Sequence, residues 1–168
     1  MKRFLFLGIA APAMLASCTN DETVEMNPQN AIGFETFVDK STRATDVTID
    51  KLYAFEVYGW RTKNSNTEQI FDAQEVEVEE NSNGEYICTY SPLQYWVGGY
   101  NYTFEAVAPK SGEGGVTFND VNGSSTIKFV SNAETDLIYA TAPATTQDNI
   151  TSAPAAVGLK FDHLLSRV

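Results

Sequence analysis

The sequence has 168 residues, 43% of them hydrophobic and 20% charged, a balance typical of about one soluble globular domain. Its 11 Lys and Arg against 22 Asp and Glu give a formal charge of -11, which repels phosphate backbones and excludes a nucleic-acid partner. One His and two Cys are too few for a zinc site, a Cys/His nucleophile pair or a disulfide framework, so the composition predicts no enzyme, no cofactor and no metal site. Abundant Thr and 12% aromatic residues favour an all-β, extracellular protein.

The chain begins with the features of a signal peptide over residues 1–17. Met1-Lys2-Arg3 is basic, and the apolar run over residues 4–15 is too short to span a bilayer but has the length of a signal-peptide core. The segment Leu15-Ala16-Ser17-Cys18 is similar to the lipobox of bacterial lipoproteins, which predicts cleavage before Cys18, acylation of its thiol and an outer-membrane anchor. The alternative is an ordinary secretory signal, in which Cys18 is an incidental thiol.

Residues 18–30 are predicted to form a flexible acidic tether. They are polar, acidic and without periodicity, so they cannot bury enough apolar area to order themselves. Their acidic residues also resemble the surface-export signals of Bacteroidota lipoproteins. With Cys18 acylated, Cys88 has no partner for an internal disulfide and is expected to be a small core residue.

Two strands are predicted at the start of the mature domain. The first, over residues 31–39, alternates with period two and places four residues on one face: Ile32, Phe34, Thr36 and Val38. The second, over residues 51–60, is apolar on both faces, which predicts a central strand. The connection between them, residues 40–46, is polar.

A hairpin is predicted over residues 74–90. Val76 and Val78 face the core, and Asn83-Gly84 is the strongest short-range hairpin signal. The alternate positions form an acidic row: Glu75, Glu77 and Glu79. Strand carboxylates spaced by two diverge from a single ion, so we interpret the row as a solvated face and not as a Ca²⁺ site.

Further strands are predicted over residues 101–107, 116–118, 126–130, 136–140 and 157–165. Eight or nine short strands with frequent turns indicate an antiparallel β-sandwich over residues 31–168. The alternating run reaches Val168 without a turn or a polar tail, so we expect this domain to be truncated at its C-terminal end.

Three aromatic residues are candidates for stacking on a sugar: Trp60, Tyr95 and Trp96. A Trp beside apolar strand residues is more often a core residue whose indole N–H is hydrogen-bonded locally, and we expect the core role for Trp96. His163 alternates with Phe161 and Leu159, so we expect it to lie against the sandwich with a hydrogen-bonded ring. No residue is assigned a catalytic role.

Several segments, taken in order, resemble the fimbrillin family of Bacteroidota, whose members are lipoprotein-derived subunits of surface fimbriae. They are the lipobox at Cys18; Ser41-Thr42-Arg43-Ala44 before the strand Leu52-Tyr53-Ala54-Phe55-Glu56-Val57-Tyr58; Tyr95-Trp96 followed by Tyr102-Thr103-Phe104-Glu105-Ala106-Val107-Ala108-Pro109; Asp136-Leu137-Ile138-Tyr139-Ala140; and Val157-Gly158-Leu159-Lys160-Phe161-Asp162-His163-Leu164-Leu165-Ser166. The resemblance covers nearly the whole chain and corresponds to the N-terminal half of such a subunit. Members of the family have two β-sandwich domains, so the resemblance implies that the second, C-terminal β-domain is absent here, and we expect the chain to be the N-terminal part of a longer subunit.

The resemblance also implies a processing site. In fimbrial subunits of this family an arginine-specific protease cuts after such an Arg, here between Arg43 and Ala44, releasing the leader with the first strand. A strand from another fimbrial subunit then fills the exposed groove. Anchors and tip adhesins of the family are not all cut, and the alternative is that Arg43 is only a basic residue in an exposed loop.

The leading hypothesis is therefore a lipid-anchored structural or anchoring subunit of an outer-membrane fimbria at the cell surface, with surface ligands of host or bacterial cells as further partners. The second is a surface glycan-binding lipoprotein that uses Trp60, Tyr95 or Trp96. Solvent exposure discriminates the two, since a stacking platform needs at least two open aromatic faces. An enzyme is a distant third, because no nucleophile, base and orienting group can be named.

Overall fold

The computed structural model describes residues 30–38, 49–113, 116–121, 124–129, 136–147 and 154–164. Over these residues the chain is all-β, with a short 3-10 turn at Ile49–Lys51. The strands are β1 (Phe34–Val38), β2 (Ala54–Lys63), β3 (Asn66–Glu80), β4 (Tyr86–Thr89), β5 (Tyr100–Ala108), β6 (Val116–Val121), β7 (Ser124–Phe129), β8 (Ile138–Gln147) and β9 (Val157–His163). The predicted all-β class is confirmed. Within the described ranges, no helix is long and apolar enough to cross a membrane.

Seven strands form one sheet in the order β1-β9-β8-β5-β2-β3-β4, and β6 and β7 form a separate hairpin. The predicted antiparallel arrangement holds for each pair that the structure describes, with one exception. Strands β1 and β9 run parallel, with Phe34 opposite Val157 and Val38 opposite Phe161. The first strand therefore joins the sheet beside the last one.

The large sheet curls so that its two ends approach each other. The ring of Phe34 on β1 lies 5.5 Å from that of Phe71 on β3, and the ring of Phe55 on β2 lies 5.3 Å from that of Phe161 on β9. Neither β1 and β3 nor β2 and β9 are neighbours in the sheet order, so both contacts are made across the interior. The main core lies inside this curl, and the fold is a sandwich that tends towards a barrel.

Strand β2 is central, as predicted, and both of its faces are buried. Phe55 and Val57 point into the main core and are fully buried. On the opposite face, Tyr58 stacks on Phe118 of β6 with ring centroids 3.9 Å apart, and Trp60 joins the same cluster. The β6–β7 hairpin thus forms a second layer over the outer face of the sheet.

Gly59 of β2 is required by the close packing of two rings. A Cβ at this position would lie 2.8 Å from the Phe71 ring and 2.9 Å from the Phe104 ring. Carbon atoms do not approach so closely without displacement, so any side chain here would push two core rings apart. The glycine allows β3, β2 and β5 to share one aromatic layer.

A buried carboxylate ties the loop after β5 to the sheet. Glu56 is only 7% exposed, and its Oε2 accepts hydrogen bonds from the Tyr58 hydroxyl at 3.0 Å and the Ser111 backbone N–H at 2.9 Å. These bonds satisfy a charge that would otherwise be costly to bury. Burial, together with the Glu56 carboxylate, raises the pKa of Tyr58 well above its ordinary value.

The predicted hairpin over residues 74–90 is confirmed, and a second hairpin was not predicted. The row Glu75, Glu77 and Glu79 faces solvent, while Val76 and Val78 are buried. The other hairpin joins β2 to β3 through Asn64 and Ser65, which both adopt positive φ, at 50° and 65°. Two residues of positive φ form the type of turn whose twist matches antiparallel strands.

Candidate functional site

The segment over residues 30–38 closes the curled sheet, and its first residues pair with the loop after β4. The Ile32 N–H donates to the Gln94 carbonyl at 2.8 Å, and the Trp96 N–H donates to the Asn30 carbonyl at 2.9 Å. Between these bonds, Ala31 forms an antiparallel bridge with Tyr95. One end of the segment is therefore held by residues 94–96.

The rest of the segment pairs on its other side with β9. The Val157 N–H donates to the Gly33 carbonyl at 2.8 Å, and the parallel register continues to Val38 opposite Phe161. Strand β1 lies at the end of the sheet order, so β9 is its one strand partner in the described part of the sheet. Its removal would break one ladder and the short bridge.

The inward face of the segment is the one that the sequence predicts. Ile32 and Phe34 are buried at 1% and 5% exposure, and Thr36 and Val38 are half-buried. Phe37 points outwards and is 57% exposed. The segment thus presents its alternating apolar face to the core.

Phe34 fills a pocket made of three aromatic rings. Its ring centroid lies 5.5 Å from Phe71, 5.7 Å from Tyr90 and 5.8 Å from Phe104, in edge-to-face or tilted arrangements. Such pairs contribute about 0.5–1.5 kcal/mol each beyond the burial of area. Phe71 belongs to β3, Tyr90 to the loop that follows β4, and Phe104 to β5. The pocket is therefore built from residues that follow β1 in the chain.

Tyr90 also holds the backbone of the segment. Its hydroxyl donates to the Ile32 carbonyl at 2.6 Å and accepts from the Gln94 N–H at 3.3 Å. Burial raises the pKa of this hydroxyl, so it remains a protonated donor. The sequence pattern places Tyr90 only at the end of a strand, and it gives no signal for this role, because the bond joins residues 58 positions apart.

Cys88 of β4 is a free cysteine and packs half-buried against the main core, as expected for a small core residue. Burial raises the pKa of its thiol. A buried thiol of raised pKa is mostly protonated and a poor nucleophile.

Two of the three candidate stacking residues are buried. Trp96 is 2% exposed and Trp60 is 8% exposed, while Tyr95 is half-buried. Trp96 packs edge-on against Tyr102 at 4.6 Å between ring centroids and takes the core role expected of it. The expected local partner of its indole N–H was wrong, since Nε1 is buried with no hydrogen-bond partner among the described residues. These three rings do not form an open platform.

His163 has the hydrogen-bonded ring that the sequence predicts. Its Nδ1 lies 2.8 Å from Oδ2 of Asp136, and both side chains are largely buried. The bond joins the end of β9 to the residues before β8. In the described part of the chain, no group of three or more His, Cys, Asp or Glu residues is placed to hold a metal ion.

The remaining predicted sites, Cys18, Arg43 and Ala44, lie outside the described residues. The structure does describe both sides of the connection that contains Arg43. Strand β1 ends at Val38, and the next described residue is Ile49. Lipidation and cleavage therefore stay predictions.

The described part of the chain is all-β, and β1 closes an aromatic groove at the sheet edge. A family model described as fimbrillin-like matches residues 42–168, which is more than half of the chain. The chain belongs to the fimbrillin-like family, as the resemblance predicted, and membership implies a fimbrial subunit that assembles with other subunits at the cell surface. The family is generally non-enzymatic. No curated protein and no solved structure matches the chain.

Proposed function

We propose that this chain is a structural or anchoring subunit of a cell-surface fimbria. An acylated Cys18, exposed by removal of the signal peptide over residues 1–17, anchors it to the outer membrane before assembly, and the tether over residues 18–30 leads to the folded domain. Cleavage between Arg43 and Ala44 then opens the groove for a strand of another subunit.

The observation that carries this proposal is the position of β1. It is an edge strand that precedes the Arg43 connection, and it fills a groove whose walls all follow that connection in the chain. Arg43 lies 43 − 38 = 5 residues after the last residue of β1 and 49 − 43 = 6 residues before the 3-10 turn. A cut there would release β1 and leave β2 to β9 covalently intact.

The family match adds support. The matched segment begins at residue 42, immediately before Arg43, so it leaves β1 outside and includes each of the other strands. The part of the chain that defines the family is thus the part that would remain after cleavage.

An empty groove would be unstable in water. Ile32 and Phe34 are almost fully buried, and each fully buried side chain of this size contributes about 1.5–3 kcal/mol through the apolar area that it removes from water. The apolar side chains that line the groove would also become exposed to water, and the backbone of β9 would lose its hydrogen bonds to β1. A strand donated by a neighbouring subunit would restore both, which is the driving force for assembly.

The test is treatment of the full chain with an arginine-specific protease. We expect a new N-terminus at Ala44 and a ladder of oligomers on an unheated denaturing gel. The matched control is Arg43→Lys, which keeps the positive charge but removes the arginine of this connection, and it should remain monomeric. Cleavage without a ladder would indicate a capping or tip subunit, and resistance of Arg43 in the folded chain would indicate an uncut anchor.

A further inference from the structure

We infer that the groove filled by β1 selects its strand and its register by two features of its own walls acting together: the Tyr90 hydroxyl, which binds a backbone carbonyl, and the Phe71–Tyr90–Phe104 pocket, which requires a large apolar side chain two residues later. The partner is an extended segment of another subunit, parallel to β9, with a large apolar and preferably aromatic residue where Phe34 lies now. This inference rests on the proposed donor-strand function and specifies the partner of that same site.

The first feature, the Tyr90 hydroxyl, binds the backbone of the strand and not a side chain. The Tyr90 hydroxyl has one proton, and the shorter of its carbonyl distances, 2.6 Å to Ile32 against 3.4 Å to Gln94, shows where that proton goes. The Gln94 N–H approaches the same oxygen from the other side at 3.3 Å and orients it. Each residue of a donor strand carries a carbonyl, so this bond accepts any sequence and holds the strand at a fixed place in the groove.

The second feature, the Phe71–Tyr90–Phe104 pocket, binds the side chain two positions after Ile32. Phe34 touches all three rings of the pocket, and Tyr90 is one of them, so the same residue contributes to both features. Residues two apart on a strand point to the same face, whereas a slip by one residue would turn the donor's apolar face outwards. A donor whose carbonyl meets the hydroxyl therefore presents a same-face residue to the pocket, and the large side chain that the pocket requires selects among the registers that differ by two residues.

The other positions of the segment are less demanding. Thr36 is half-buried, and Phe37 is 57% exposed and makes no contribution to the core. The groove thus requires apolar residues at the buried positions of Ile32 and Phe34 and tolerates variation at exposed positions such as Phe37.

The contribution of the two features to holding β1 is tested on the full, uncut chain. The measurement is the hydrogen-exchange rate of the Ile32 amide, which bonds to the Gln94 carbonyl. Tyr90→Phe keeps the ring and removes one hydrogen bond, and we expect exchange about fivefold faster, against no change for Tyr53→Phe at an exposed position. Phe34→Ala should accelerate the same exchange by about 100-fold, and Phe37→Ala by less than about threefold. Unchanged exchange in Tyr90→Phe, or equal effects of the two Phe variants, would overturn the inference.

The partner claim is tested on the protease-treated chain with synthetic peptides of residues 30–38. We expect Phe34→Ala to weaken peptide binding by about 100-fold, Phe34→Leu by less than about tenfold, and Phe37→Ala by less than about threefold. If the groove binds all peptides equally, the selectivity is wrong while the proposed function stands. If Arg43 is not cut, the strand-exchange part of the proposed function fails and the chain is an uncut anchor, and the full-chain measurement still decides whether Tyr90 and the pocket hold the strand.

Discussion

The rings of Phe34 on β1 and Phe71 on β3 meet edge to face, with centroids 5.5 Å apart and an interplanar angle of 68°, although their strands are five places apart in the sheet order. Only a curled sheet can bring such strands together. The contact therefore shows that β1 closes the curled sheet, and it exists only while β1 remains in the groove.

A double-mutant cycle on this contact tests the closure. Phe34→Ala and Phe71→Ala should each lower the free energy of unfolding by about 3–5 kcal/mol, because each opens a cavity in the core. The two effects should be non-additive by about 0.5–1.5 kcal/mol, measured by urea denaturation. Phe34 and Phe118 lie in separate core clusters, so that control pair should be additive. Additivity of Phe34 with Phe71 would contradict the curl.

Gly59→Ala should destabilise the chain by about 1–3 kcal/mol, because its Cβ would overlap the Phe71 and Phe104 rings. The matched control is Gly158→Ala on β9, where the nearest atom would be 3.8 Å from the new Cβ. That variant should be neutral or slightly stabilising, as a glycine within a strand is unfavourable. Equal thermal midpoints for the two variants would show that the aromatic layer is looser than described.

The stability should fall in alkaline solution, in part because of the buried Tyr58 and the half-buried Tyr139. Burial, with a smaller effect from Glu105, raises the pKa of Tyr139 to about 12, and burial with Glu56 raises that of Tyr58 further. A folded pKa above the unfolded value means that this stability is complete below about pH 10 and is lost as the pH rises through the folded pKa. Urea denaturation across this window measures the fall, and Tyr58→Phe with Tyr139→Phe should flatten it. An unchanged slope in the double variant would contradict the assignment.

Lipidation predicts a clear change in partitioning. Cys18→Ala removes the thiol that carries the acyl chains, so the variant should leave the detergent phase that the wild-type chain enters. Cys88→Ala is the matched control, since Cys88 packs against the core and should not affect partitioning. An alanine variant at position 18 that still enters the detergent phase would contradict lipidation at this residue.

Much of the fold could be predicted from the sequence because apolar alternation reports which face of a strand is buried. It identified the inward face of β1, the central β2 and the hairpin at Gly84. Alternation did not predict the first half of β3, because residues 66–69 are all exposed and polar. These residues belong to the part of the β2–β3 hairpin that extends beyond the core.

Alternation does not report which strands become neighbours. The parallel pairing of β1 with β9 and the curl of the sheet depend on contacts between residues more than a hundred positions apart, such as Phe34 with Val157. The sequence pattern does not predict that Tyr90 holds β1, for the same reason. The hydroxyl binds a distant backbone carbonyl, which a residue of any type would supply. The sites at Cys18 and Arg43 rest on motifs and lie outside the described residues.

The central claim is that subunits join through the groove that β1 vacates, and competition measures it most directly. The chain is cut with the arginine-specific protease in the presence of excess synthetic peptide of residues 30–38, with a scrambled peptide as the control. The account predicts that the native peptide suppresses the oligomer ladder on an unheated denaturing gel and that the scrambled peptide does not. Ladders that form equally with both peptides would show that the subunits join elsewhere.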